Sequence, residues 1–248
     1  MDKSDEKMPL FTFGIISDVQ YANLENGQNY NRTRTRYYRP ALVHLEKAVN
    51  DWNSQNPTPE FVLQLGDLID GKSKKAPGGS EDALNATISK FAEFPNPTYH
   101  TFGNHDYYNF SHKDFVKLIP NEGGKHSVSR CTTTINGEEE PKLRYTFSPH
   151  PDYLFIVLCS YEVSMLGYHD ARDHPNYIHA RNILLSSRED HTDLNCAETL
   201  EGMEKRFLQY NGALGEAQRE WLDKTLQKAE QQRQKVVVLG NYNLSLYN

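Results

Sequence analysis

The sequence predicts an α/β fold, and three observations predict it. Short apolar runs of strand length alternate with amphipathic runs of helical spacing along the 248 residues. No internal repeat and no break in composition divides the chain. Hydrophobic residues make up 37% and charged residues 24%, a balance that suits one domain with a sizeable core and a water-facing exterior.

The elements follow in order. Residues 1–9 (MDKSDEKMP) are charged, lack the apolar centre of a signal peptide and are expected to be disordered. Leu10 to Ile16 reads as a strand ending at Ser17-Asp18-Val19-Gln20. Pro40 opens a helix with Leu42, Leu45, Val49 and Trp52 at spacings of three and four. Phe61 to Leu65 is a strand closed by Gly66-Asp67, and a loop over 72–80 leads to a helix from about Asp82 to Phe91. A third strand, "PTYHTFGNHDYY", ends at Gly103. "LRYTFSPHPDYLFIVLCS" is a hairpin turning at Pro-His-Pro-Asp. Residues 162–197 are polar and read as irregular. Helical patterns return at 198–208 and 215–233, the second placing Ala217, Trp221, Leu222, Leu226 and Ala229 on one face. Val236 to Leu239 reads as a strand buried on both faces, in the middle of a sheet.

Charge and composition exclude several function classes. A net charge of −6 argues against a nucleic-acid or membrane-surface binder. No apolar run approaches the roughly 20 residues that cross a bilayer. Cys131, Cys159 and Cys196 are odd in number and lack C-x-x-C spacing, as expected of reduced thiols in a cytoplasmic protein. A monomer with small-molecule partners is expected.

The chemistry is concentrated where strands end. Three of them close on Asp18 and Gln20, on Asp67, and on Asn104-His105-Asp106. In an open α/β sheet the loops at the carboxyl ends converge, so these side chains meet at one point. Oxygen donors with an occasional imidazole suit Mn²⁺ or Mg²⁺. An aspartate after a strand is, taken singly, usually a turn former or helix cap. Three such endings in this order make coincidence a poor explanation. Downstream, "NRTRTRYYR" supplies Arg36 and Tyr37 as candidate substrate contacts. Arginine can fork onto anionic oxygens, and a tyrosine ring can stack on a planar group. The other reading, a solvated helix flank whose tyrosines pack on the core, stands beside it. His169, His174, His179 and His191 lack ligand spacing and read as surface residues.

The series D-x-[HQ], G-D, G-N-H-[DE] resembles the opening motifs of the calcineurin-like metallophosphoesterases. Within them the chain resembles the manganese-dependent diphosphatases of ADP-ribose and CDP-alcohols. The stretches that carry the resemblance are "FGIISDVQYANLENGQNY", "RTRYYRPALVHLEKAVNDWN", "VLQLGDLIDG", "GNHDYYNFS" and "QYNGALGEAQREWLDKTL". It runs from about Leu10 to Leu239 and implies the metallophosphoesterase-type layered α/β sandwich with mixed sheets. It also implies two Mn²⁺ ions, with Mg²⁺ as the alternative. Asp18 and Gln20 would hold one ion, Asp67 would bridge both, Asn104 would hold the second, and His105 would act at the scissile phosphate. The implied reaction is attack of water on a phosphoanhydride. ADP-ribose would give AMP and ribose 5-phosphate; CDP-choline or CDP-glycerol would give CMP and the phospho-alcohol.

The resemblance also implies ligands that the chain does not match. Aligning "KVVVLGNYN" on a family strand puts Asn241 where a histidine is expected, and a later G-H-x-H has no counterpart. Residues 10–248 are therefore expected to form an incomplete domain, a C-terminally truncated or variant form. Its last strand would have an unpaired edge, and its metal binding and activity would be weak or absent. A non-catalytic nucleotide binder and another phosphoesterase of the superfamily stay open as alternatives.

Overall fold

The computed structural model describes residues 8–29, 31–119, 125–135, 138–189, 191–198 and 200–241. The chain enters through β1 (Phe13–Ile16), a short ribbon of β2 (Gly27–Gln28) and β3 (Thr35–Arg36), and helix α1 (Tyr38–Ser54). Then come β4 (Phe61–Leu65), α2 (Gly79–Phe91) and β5 (Thr98–Thr101). β1, β4 and β5 form one parallel sheet in that order, with the helices as crossovers. Gly14 marks the contact between β1 and α1, since a Cβ there would lie 2.7 Å from the Trp52 ring.

Two short helices, α3 (Asn104–Tyr107) and α4 (His112–Phe115), lead to β6 (Ser127–Ile135), β7 (Glu138–His150) and β8 (Tyr153–Val157). β9 (Val163–Ser164), α5 (Pro175–Ser186), β10 (Gly212–Ala213), α6 (Glu216–Gln231) and β11 (Lys235–Leu239) follow. The second sheet is mixed, in the order β11-β8-β7-β6. The two sheets face each other across an aromatic layer. The Phe61 ring lies 5.4 Å from Phe147 and 5.3 Å from Phe155, and Tyr99 stacks on Phe147 at 3.5 Å. Each such fully buried ring contributes roughly 1.5–3 kcal/mol through burial.

Several expectations are corrected. β1 starts at Phe13, not Leu10. Among the described residues β11 lies at the edge of its sheet and not in the middle, as its expected unpaired edge implies: it pairs in parallel with β8 alone, and Val238 is 49% exposed. A run of valines satisfies the pattern of a central strand equally well, so the sequence could not separate the two cases. The irregular stretch 162–197 contains α5, which begins with Pro175 at its first position and His174 capping the Asn176 amide at 3.1 Å. Among the described residues between 198 and 208 the helical structure is one short 3₁₀ helix, Gly202–Arg206. On α6, Ala217 and Leu226 are exposed while Gln218 is fully buried. Its amide bonds both the N–H and the carbonyl of Cys159, at 2.9 and 3.0 Å, so a polar residue occupies the core-facing stripe. The expectation of disorder over 1–9 falls mostly on residues 1–7, outside the described residues, as does the segment 242–248. Among the described residues no helix is long and apolar enough to cross a membrane.

Candidate active site

The strand ends of the parallel sheet turn sharply. Asp18, Gln20 and Asp67 have φ of 55°, 46° and 57°, and Gly66 has φ of 96°. Left-handed backbone at non-glycine residues costs of order 1–3 kcal/mol each and persists where the surroundings enforce it. The Asp18 and Gln20 amides bond the Gly66 and Asp67 carbonyls at 3.2 and 2.9 Å. The fully buried Asp106 carboxylate accepts from the amides of Asp67 and Leu68 at 2.8 Å, Gly103 at 2.9 Å and Ile69 at 3.3 Å. Asp106 thus staples the β4 and β5 ends together. Burial first, and then the Asp67 charge, push its carboxyl up to about 7.

On this frame the predicted residues converge. Gln20 Nε2 lies 3.1 Å from Asp18 Oδ1 and 3.1 Å from Asp67 Oδ2. The Arg36 guanidinium donates to Gln20 Oε1. The His105 amide donates to Asp67 Oδ1 at 3.0 Å. Burial raises the Asp67 carboxyl, and the negative Asp18 adds to that against the opposing pull of His105. Gly103 makes room for the carboxylate, since a Cβ there would sit 2.1 Å from Asp67 Oδ1. Asn104 is at the same strand end, with its Nδ2 3.2 Å from the Tyr108 hydroxyl. Tyr37 is 60% exposed and lines, with Asp18, Gln20, Arg36 and His44, a cavity of about 350 Å³.

Asp70 was missed by sequence reasoning. Its Oδ2 lies 3.1 Å from His105 Nδ1, and its Oδ1 accepts the Lys72 amide at 2.8 Å. Burial alone would lower the His105 imidazolium's pKa; the bond to Asp70 and the Asp67 charge outweigh it, and the net shift is upward. Burial would likewise raise the Asp70 carboxyl, but His105 holds it below the usual carboxylate range. The signal was present in "GDLID", a second aspartate three residues after the first. Asn241 also reaches this point: its Nδ2 donates to the Leu65 carbonyl at 2.8 Å, and Cβ atoms on Gly66 or Gly103 would meet it at 2.5 and 2.9 Å.

The arrangement is chemically a cluster of hard oxygen donors. Asp18 and Asp67 supply carboxylates and Asn104 an amide oxygen, while Gln20 turns its Nε2 to the two aspartates and its Oε1 to Arg36, so it would serve an ion only with its amide reversed; a divalent cation would offset the burial and the Asp18 charge that raise Asp67. The set is thin. Among the described residues no three His, Cys, Asp or Glu side chains are grouped to hold an ion.

Comparison with known proteins gives a consistent picture. The family described as calcineurin-like phosphoesterase matches residues 11–245. The manganese-dependent ADP-ribose/CDP-alcohol diphosphatase of Mus musculus is 36% identical over 245 residues, 96% of this chain and 68% of that protein. The protein of the same description from Arabidopsis thaliana is 36% identical over 98% of this chain and 71% of its own length. A crystal structure of a dimetal phosphatase from Danio rerio superposes with a TM-score of 0.78 at 32% identity, covering 94% of this chain and 70% of that one.

Proposed function

Because the chain belongs to the calcineurin-like phosphoesterase family, we propose that it is a manganese-dependent hydrolase of nucleotide diphosphates. Its substrates in this reading are ADP-ribose, cleaved to AMP and ribose 5-phosphate, and CDP-alcohols, cleaved to CMP and a phospho-alcohol. The observation that supports it most directly is the meeting of Asp18, Gln20, Asp67 and His105 within hydrogen-bond reach at three strand ends. The names of the similar proteins supply the substrate class.

Asp18, Gln20 and Asp67 would hold one divalent ion, and Asp67 with Asn104 a second. Such ions supply positive charge to the phosphoryl oxygens and ease deprotonation of the attacking water. The chain's own groups do the rest. His105, with Nδ1 on Asp70, keeps a proton to give from its other nitrogen to the departing phosphate oxygen. Water adds to one phosphorus, the bridging P–O bond breaks, and the His105 proton goes to the leaving group. Arg36 and Tyr37 line the adjoining cavity, where a guanidinium and an exposed ring suit a diphosphate and a base. The protein acts in this reading as a cytoplasmic monomer.

Turnover by the 248-residue chain is expected to be slow, because among the described residues no three His, Cys, Asp or Glu side chains gather to hold an ion. The same observation favours a second reading, a nucleotide binder without catalysis. Incubation with ADP-ribose and Mn²⁺, followed by chromatography of AMP, tests both. Manganese-dependent AMP release that Asp67→Asn abolishes, however slow, supports the enzyme. Release unaffected by Asp67→Asn refutes it, and ADP-ribose binding in chelator with no release favours the binder.

A further inference from the structure

Asn104 opens the short helix after β5 and, in the proposed reaction, would hold the second ion through its amide oxygen. An asparagine amide has two ends of nearly equal size, and only the oxygen can meet a cation. Which end faces the seat is decided by what holds the other. That partner stands one helical turn along the chain, at Tyr108.

The Tyr108 amide donates to the Asn104 carbonyl at 2.9 Å, so the two side chains share one face of the turn. Asn104 Nδ2 then donates to the Tyr108 hydroxyl at 3.2 Å. Two contacts fix the half-buried ring that carries this hydroxyl. It meets the His105 ring edge-to-face, at 5.5 Å and 72°. It also lies against Gly71, where a Cβ would come 2.7 Å from Tyr108 Cδ2. Packing against Gly71 and His105 needs only the ring, and phenylalanine would fill the same space. The hydroxyl therefore calls for a separate role. Gln20 supplies the contrast, since its amide turns the nitrogen to Asp18 and Asp67 and the oxygen to Arg36. Asn104 instead gives its nitrogen to Tyr108, which leaves the oxygen for an ion.

We propose that Tyr108 is a positioning residue for the second metal seat: its hydroxyl takes the Asn104 nitrogen, so that Asn104 presents its oxygen to a divalent cation. The inference rests on the metal-dependent reading above, because without an ion the orientation of this amide has no chemical consequence.

Tyr108→Phe removes one oxygen and leaves the ring in place. Manganese is titrated by calorimetry, without nucleotide, into the 248-residue chain and into this variant. The unaltered chain should take up two equivalents. In Tyr108→Phe one of them should weaken by about tenfold or more, as is usual when the partner of a metal-binding side chain is lost. The equivalent held by Asp18, Gln20 and Asp67 should keep its affinity. A second pair of proteins separates orientation from packing. Aspartate offers an oxygen at either end, so in a chain carrying Asn104→Asp the further change Tyr108→Phe should leave manganese affinity unchanged within about twofold. Equal weakening of both equivalents, the same loss with Asn104→Asp in place, or no effect of Tyr108→Phe would each overturn the role of the hydroxyl. Failure of the unaltered chain to bind manganese would instead overturn the metal-dependent reading, and the proposal with it.

Discussion

Gly103→Ala is a one-methyl perturbation aimed at the centre of the strand-end site. Gly103 has φ of −107°, so alanine meets no backbone strain there. The new Cβ would instead lie 2.1 Å from Asp67 Oδ1, 2.8 Å from its Cγ and 2.9 Å from Asn241 Nδ2. Ordinary contact requires about 3.4 Å or more, so the carboxylate must retreat by about 1 Å. Asp67 cannot swing away without losing the His105 amide at 3.0 Å and Gln20 at 3.1 Å. Overpacking of this kind costs about 1–3 kcal/mol of stability. A displacement of about 1 Å at reacting groups costs on the order of 100-fold in rate. Urea unfolding should therefore show a small loss. Manganese affinity, by calorimetry, and AMP release should fall far more than stability does. A variant with wild-type stability and unchanged manganese binding would refute the geometry on which the site rests.

Asp70→Asn removes the charge that holds the His105 proton; a hydrogen bond to a charged group is worth about 1.5–3 kcal/mol, so kcat should fall about 10- to 100-fold with KM little changed. An unchanged pH–rate profile in that variant would exclude His105 as the acid. Burial lowers the His100 imidazole to about 4, so the native state stays neutral while the unfolded chain takes up a proton near pH 6.5. Stability from this residue is complete above about pH 6.5 and is lost as pH falls toward 4, by about 3 kcal/mol in all. Urea midpoints at pH 7 and pH 5 for the wild type and His100→Gln will show whether the substitution flattens that dependence. Phe147→Ala opens the aromatic layer between the sheets and should cost about 3–5 kcal/mol, with no loss of cooperativity in the unfolding curve. Tyr37→Ala, at an exposed ring, should raise the KM for ADP-ribose and leave the melting temperature unchanged.

Much of the fold was legible because its elements carry their own periodicity. β4 spans Phe61–Leu65 as read from the sequence, and the hairpin turns at Pro151-Asp152 between β7 and β8. The misreadings share a physical origin: tertiary context decided what local pattern could not. Val236–Leu239 is apolar on both faces, yet among the described residues it pairs with β8 alone and Val238 is half exposed. Gln218 looks like a surface residue until the Cys159 backbone claims both ends of its amide. At the site, residue types pointed to the candidate ligands, because acidic and amide residues closing three strands in one chain are an unusual coincidence. Asp106 and Asp70 were invisible as partners, since their roles rest on amides and an imidazole from other strand ends.

The same reasoning bears on Asn241. It touches the cradle formed by Gly66 and Gly103, so its place at the strand ends is a matter of geometry and not of alignment alone. Its Nδ2 is committed to the Leu65 carbonyl at 2.8 Å, which leaves only Oδ1 to face a ligand. That oxygen sits 3.5 Å from the Tyr161 hydroxyl, too far for a strong bond. A neutral amide oxygen binds a divalent ion less tightly than an imidazole or carboxylate in the same seat. Asn241→His therefore separates two explanations of weak metal binding. Should manganese affinity rise about tenfold or more, the local donor at this seat limits the site. Should it stay unchanged, the limit lies in the sparse donors around Asp18, Gln20 and Asp67, and the strand-end frame binds ions poorly whatever stands at 241.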